Sequence, residues 1–361
     1  MKKIRVLIID DSAVIRNIVN EVLSSDSDIE VVGEAKDPFV AREQIKTLNP
    51  DVITLDVEMP KMDGITFLEN LMRLRPMPVV MLSTLTTKGA DITLRALELG
   101  AIDFIAKPSF EKLLASKGSF SETLLDKVKS AVKVDQKSFA LTKTLQNDSS
   151  VKTLIFTGIK RANHLIAIGA STGGTEAIKH VLSRLPTNSP AIVITQHIPK
   201  TFSASFAERL NQLCAITVYE AQHGQKIKEG HAYVAPGDKH LTVVAKGGGL
   251  FCVLEDSEPV SRHKPSVDVL FNSLLSIADN VQAVLLTGMG QDGAQGMLAL
   301  KENGARTIVQ DKNSSLIWGM PGSAHNLGAH TDEFDLNIIS SKLLQYASLD
   351  RSHMKGVRDV N

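Results

Sequence analysis

One pattern occurs twice along this chain: a short apolar run, a turn, then an amphipathic segment with helical spacing. In the first stretch the apolar runs are residues 6–9, 30–33, 52–55, 78–82 and 102–105. Helix-like segments lie between them at 14–23, 39–48, 64–74 and 89–99, and another begins near residue 111. Short apolar strands alternating with amphipathic helices imply a parallel sheet covered on both faces. A doubly wound, five-stranded parallel α/β domain over residues 1–125 is therefore expected. The alternation resumes after residue 164, with strand-like runs at 191–195, 215–218, 232–234, 241–244, 251–254, 281–286 and 307–309. Helices are expected at 176–185, 202–213, 267–278 and 293–303. The close spacing of runs between 215 and 254 predicts a local antiparallel piece, hence a mainly parallel, partly mixed sheet over 164–350. Residues 126–163 are lysine-dense and broken by Gln146-Asn147-Asp148-Ser149-Ser150. They read as an extension of the last helix and then a linker, and 351–361 read as a tail.

Composition narrows the function classes. A length of 361 residues suits two domains, and 43% hydrophobic residues supply two cores. A formal net charge of +0 argues against a nucleic-acid-binding surface. Cys214 and Cys252 make no metal or redox motif and read as free core thiols. No stretch of about 18 apolar residues is present, and Arg5 interrupts the first apolar run. A soluble, cytoplasmic protein without a signal peptide is expected.

In the first domain the polar residues fall at strand ends. Asp10 and Asp11 follow the first strand and Asp56 ends the third; Ser83 ends the fourth and Lys107 follows the fifth. Parallel strands put these ends on one edge. Three carboxylates gathered there repel one another unless a hard cation sits among them, and Mg²⁺ suits such a donor set. A carboxylate beside Mg²⁺ can accept a phosphoryl group, which Ser83 can hydrogen-bond and Lys107 can neutralise. Residues 4–123 thus resemble a receiver domain of two-component signalling. The resemblance implies Asp56 as the phosphorylated residue and Asp10, Asp11, Asp56 and the Glu58 carbonyl around Mg²⁺. It also implies Ser83 and Lys107 as the switch pair and a histidine kinase as phosphodonor.

In the second domain, Ile166-Ala167-Ile168-Gly169-Ala170-Ser171-Thr172-Gly173-Gly174 reads as strand, tight turn and helix start. Open α/β sheets place their sites at such carboxyl ends. A serine hydroxyl there needs a base within reach, and the base needs an orienting group. Of ten histidines, His197 directly follows an apolar strand; His240 is a second candidate, and His223 and His263 lie in loops. Asp292, in the glycine-rich turn Thr287-Gly288-Met289-Gly290-Gln291-Asp292-Gly293, is the candidate orienter, with a plain N-cap as its simpler reading. Amides around Met289 suit an oxyanion. The order Ser–His–Asp and the lack of a G-x-S-x-G elbow set this site apart from α/β-hydrolases.

With matching stretches at 168–174, 196–199, 236–240, 265–271, 286–297 and 318–322, the domain resembles the catalytic domain of chemotaxis protein-glutamate methylesterases. The resemblance implies Ser171 as nucleophile, His197 as base then acid, Asp292 as orienter, Met289 in the oxyanion hole and Thr172 in support. It implies hydrolysis of glutamate γ-methyl esters, and deamidation of particular glutamines, on chemoreceptors. No cofactor is expected for the hydrolysis, contact with membranes runs only through receptors, and a monomer is expected. A resting receiver that covers the site until Asp56 is phosphorylated would explain the fusion. A transcription regulator would need a helix-turn-helix and a basic face, and a nucleotide binder the G-x-G-x-x-G spacing; neither is present. A receptor-binding adaptor without activity would not require the three residues together.

Overall fold

A computed structural model describes residues 2–59, 62–84, 86–107, 117–134, 153–159, 161 and 163–349. Pro60, Lys61, Pro108, most of the expected linker and the tail after residue 349 lie outside the described residues. The chain divides into two compact units, Met1–Gln146 and Asn147–Asn361.

The first unit alternates β1 (Ile4–Ile9), α1 (Ala13–Ser24), β2 (Ile29–Ala35), α2 (Pro38–Leu48), β3 (Val52–Asp56), α3 (Gly64–Leu74), β4 (Val79–Ser83), α4 (Thr87–Glu98), β5 (Asp103–Ala106) and α5 (Lys117–Ala131). The five strands form one sheet in the order β2-β1-β3-β4-β5, and every neighbouring pair is parallel, as expected. Side chains set where the helices start: Ser12, Asp37, Asp63 and Thr86 each accept an amide of the first turn. α5 runs to Ala131 with Val128 and Ala131 fully buried.

The second unit contains β6 (Leu165–Ala170), α6 (Gly174–Ser183), β7 (Ala191–Gln196), α7 (Lys200–Leu213), β8 (Thr217–Glu220), β9 (His231–Val234), β10 (His240–Lys246), β11 (Gly249–Glu255), α8 (Val267–Ser273), a 3₁₀ turn (Leu275–Asn280), β12 (Val281–Leu285), α9 (Ala294–Glu302), β13 (Arg306–Gln310), α10 (Met320–Asn326), β14 (Asp332–Phe334) and α11 (Leu336–Ala347). Seven strands form a sheet in the order β14-β13-β12-β6-β7-β9-β8, parallel at every pair. The expected antiparallel piece is the pair β10–β11, which forms its own two-stranded sheet. Gly247 and Gly248, both at positive φ, reverse the chain between them in two residues. β8 and β9 pair in parallel with the main sheet instead. The expected helix at 267–278 breaks at Ser273 into α8 and the 3₁₀ turn. Before β6, Leu154 already donates its amide to Arg184 and Asn188 its side chain to Phe156, so this segment packs on the second unit. Among the described residues no helix is long and apolar enough to cross a membrane.

One glycine is demanded by a close approach beside the strand-end acids. A Cβ on Gly64 would lie 2.1 Å from the Asp56 carbonyl oxygen. Gly64→Ala must displace backbone at the end of β3, and we expect a loss of roughly 1–3 kcal/mol in receiver stability. Faster hydrogen exchange at the β3 amides is the readout; unchanged protection would refute it.

Candidate active site

β12, β6 and β7 are neighbours, so their carboxyl ends share one rim. Ala170 pairs with Gln196 across β6 and β7, and Gly169 with Leu285 across β6 and β12. Just past these pairs the His197 amide donates to the Ala170 carbonyl (3.2 Å), and the Ser171 amide to the Thr287 carbonyl (3.1 Å). The backbone itself therefore sets Ser171 between the other two turns. A Cβ on Gly288 would lie 2.8 Å from Ser171 Cβ, so only glycine lets this turn pass so close.

His197 Nε2 and Asp292 Oδ2 are 2.8 Å apart, with the two side chains 7% and 1% exposed. Nε2 carries the proton of this bond, which leaves His197 Nδ1 as the acceptor. That nitrogen is buried and has no hydrogen-bond partner among the described residues. Ser171, which follows β6 on the neighbouring strand, is half-buried. The structure thus bonds the histidine to the aspartate and places the serine on the adjacent strand end, with no hydrogen bond between the Ser171 hydroxyl and the ring among the described residues. Apo enzymes often hold such contacts loosely until substrate is bound.

Asp292 is not the cap of α9; Gly293 is. Its carboxylate instead accepts from the Ser266 hydroxyl (2.7 Å), the Val267 amide (2.7 Å) and the Asp268 amide (3.1 Å), at the amino end of α8. Burial pushes its pKa up, but His197, Ser266 and Val267 outweigh that and hold it below the usual carboxylate range. The adjacent Asp268 shifts the other way, raised first by burial and further by the charge of Asp292, against the Gly296 amide. His240, the alternative base, is fully buried with both ring nitrogens engaged, one by the Ser266 amide (3.1 Å) and one at the Glu258 carbonyl (3.1 Å). It is a strut under Ser266. His263 stacks on His197 with centroids 3.7 Å apart. Thr172 is buried, and its carbonyl accepts from Thr287 Oγ1 (3.0 Å). Met289 is half-buried in the same turn, whose Gly288 carbonyl is pinned by the amides of Gly319 and Met320.

In the first unit, Asp10, Asp11 and Asp56 present carboxylate oxygens within 4.8 Å of one another. Lys107 Nζ lies 2.7 Å from both Asp10 and Asp56. The Glu58 amide donates to Asp56 Oδ1 (3.2 Å), which places its residue at the same rim. Ser83 is fully buried, and its Oγ lies 2.7 Å from Thr93 Oγ1 on α4. Burial, reinforced by the charge of Asp10 and opposed by Lys107, raises the pKa of Asp56 to about 6. One lysine against crowded acids leaves negative charge uncompensated, and an all-oxygen donor set with that excess fits Mg²⁺.

Residues 166–343 match the family described as CheB methylesterase, and residues 6–117 match the response regulator receiver domain. The protein-glutamate methylesterase/protein-glutamine glutaminase of Salmonella typhimurium is 52% identical over 348 residues, 95% of this chain and 97% of its own. The protein of the same name from Escherichia coli O157:H7 is 53% identical over 95% of this chain and 97% of its own. The crystal structure of the Thermotoga maritima CheB methylesterase catalytic domain is 34% identical, covers 52% of this chain and all of its own, and superposes with a TM-score of 0.50. The chain belongs to the protein-glutamate methylesterase/protein-glutamine glutaminase family.

Some residues that shape this methylesterase-family site lie in the matching stretches without their role showing there. Ser266, His240 and Gln196 are separated in sequence from what they hold, and each is an ordinary polar residue. The Gln196 side chain donates to the Ser171 carbonyl (2.9 Å), so Gln196 fixes the serine turn although sequence reading marks it only as a neighbour of His197. On the receiver side, Asp56 predicts a pH dependence. Its folded pKa of about 6 exceeds the ordinary 3.8, so its contribution to stability is present below about pH 3.8 and lost as the pH rises through 6. In Mg²⁺-free buffer, Asp56→Asn should stabilise the receiver above pH 6 by on the order of 2–3 kcal/mol, a gain that shrinks toward pH 4. Denaturant unfolding across that range measures it, and a gain independent of pH would contradict the shift.

Proposed function

We propose that the chain hydrolyses the γ-methyl esters of glutamate side chains, and deamidates particular glutamines, on cytoplasmic segments of chemoreceptors. The reading rests above all on the buried His197–Asp292 bond beside Ser171 on three adjacent strand ends. Ser171 Oγ attacks the ester carbonyl carbon while its proton passes to His197 Nδ1. Asp292 offsets the charge of the resulting imidazolium and keeps the ring in the tautomer that accepts at Nδ1. The oxyanion develops next to the turn at 288–290, where a Met289 donor stabilises it and Thr172 supports the wall. Collapse breaks the C–O bond, and methanol leaves with the proton from His197. Water then attacks the acyl-serine, again deprotonated by His197, and glutamate is released. With a glutamine substrate the leaving group is ammonia, and the same two steps apply.

The receiver gives this hydrolase a control input. Asp56 accepts a phosphoryl group from a histidine kinase. Asp10, Asp11, Asp56 and the Glu58 carbonyl would hold Mg²⁺, which would supply positive charge for the phosphoryl oxygens. Lys107 and Ser83 then bind the phosphoryl oxygens, and the change in Ser83 reaches α4 through Thr93. Phosphorylation shifts the enzyme toward its active state, and a shift from mostly closed to mostly open requires a few kcal/mol.

Ser171→Ala should abolish methanol release from methylated receptors while Asp56 is still phosphorylated by a small-molecule phosphodonor; normal turnover would end the assignment. Asp292→Asn should lower kcat by roughly 10⁴-fold by upsetting the tautomer, and it should also loosen the start of α8, whose donors the carboxylate accepts. Asp56→Asn should leave basal hydrolysis and remove stimulation by the phosphodonor. Stimulation that persists would break the link between the receiver and the hydrolase.

A further inference from the structure

Where α10 meets β14, two imidazoles and a carboxylate converge that the ester chemistry does not use. His325 lies on the last turn of α10, Glu333 on β14, and His330 in the connection between them. One ligand atom from each lies within 4.8 Å of the other two. His325 Nδ1 is 2.6 Å from Glu333 Oε2, and the rings of His325 and His330 stack with centroids 4.8 Å apart and planes at 15°. His330 Nδ1 is buried with no hydrogen-bond partner among the described residues. Two imidazoles this close cannot both carry a proton without repulsion. Burial and the neighbouring His325 push the His330 pKa below its ordinary value, against the pull of Glu333 and Asp332. His330 Nδ1, which no protein donor or acceptor engages among the described residues, faces this cluster as a ready ligand atom.

Two imidazole nitrogens and one carboxylate oxygen form a donor set of zinc type. All three come from one short span, 325–333, whose ends are already held by α10 and β14, so little reorganisation precedes binding. We propose that His325, His330 and Glu333 bind a divalent ion of the zinc class, with water completing its shell. The ion fastens the end of α10 to the sheet edge. The other end of that helix reaches the hydrolase wall, where the Met320 amide donates to the Gly288 carbonyl beside Ser171. Neither cysteine competes for the metal, because burial raises both thiols to about 12.

The chain's single tryptophan reports on the site, since Trp318 lies 5.3 Å from the His325 ring. Full-length protein, stripped with a chelator and kept in excess Mg²⁺ to occupy the receiver carboxylates, is titrated with Zn²⁺ against a chromogenic chelator. One equivalent should bind, with a change in Trp318 fluorescence that saturates at the same point. His330→Ala and Glu333→Gln should each weaken that equivalent by more than about tenfold, the least that losing even an outer-shell partner costs. His330→Asn serves if the alanine variant does not fold. No zinc uptake by the wild type, or uptake of equal stoichiometry and affinity in folded variants, would overturn the proposal.

Discussion

A buried carboxylate must be answered by donors, and the catalytic unit is built around that demand at Asp292. Its side chain is 1% exposed. Removing an ionised carboxylate from water costs several kcal/mol unless its lone pairs are filled. Here the Ser266 hydroxyl, the amides of Val267 and Asp268, and His197 Nε2 fill them. These donors come from the start of α8 and the end of β7, while the acid follows β12. One charge thus fastens three parts of the chain, and the histidine is one of its fasteners. Its tautomer follows from the acid's need for a donor.

Strand order makes the assembly possible. Ser171, His197 and Asp292 are far apart along the chain, but β12, β6 and β7 are adjacent, and parallel strands bring their following turns to one rim. This much was legible, because each of the three residues ends an apolar run and apolar runs declare strands. The receiver acids were legible for the same reason. Less legible were the parts that depend on contacts rather than periodicity. β14 is three residues with two acids, too short and too polar to signal a strand. α10 is seven residues and begins at Gly319-Met320-Pro321, which sequence reading takes as a motif rather than a helix. Gln196, His240 and Ser266 lie inside stretches that sequence reading marked, but their work as supports could not be read, because it consists of contacts to residues distant in the chain.

The antiparallel pair shows how pattern can mislead about placement. Closely spaced strands between 215 and 254 correctly implied a reversal of direction, and Gly247-Gly248 supplies it. The reversed strands nonetheless pair with each other and not with the main sheet. β8 and β9 are joined by a loop long enough to return the chain to the same edge, so they run parallel. Turn chemistry fixes the hairpin; loop length fixes the neighbouring pair.

The two rims share one architecture and reach opposite electrostatic ends. At the receiver rim, Asp56 sits with Asp10 and Asp11, and Lys107 is shared between Asp10 and Asp56. Burial and like charge therefore win, and the Asp56 pKa rises to about 6. At the other rim Asp292 collects four donors and its pKa falls, although Asp268 lies next to it. An acid poorly compensated by its own protein responds to added positive charge and so suits a cation and a reversible phosphoryl group. An acid fully compensated stays ionised whatever approaches, which an orienter of a catalytic histidine requires. Strand ends provide the address in both units, and the number of donors around each carboxylate decides whether it can act as a switch or as a fixture.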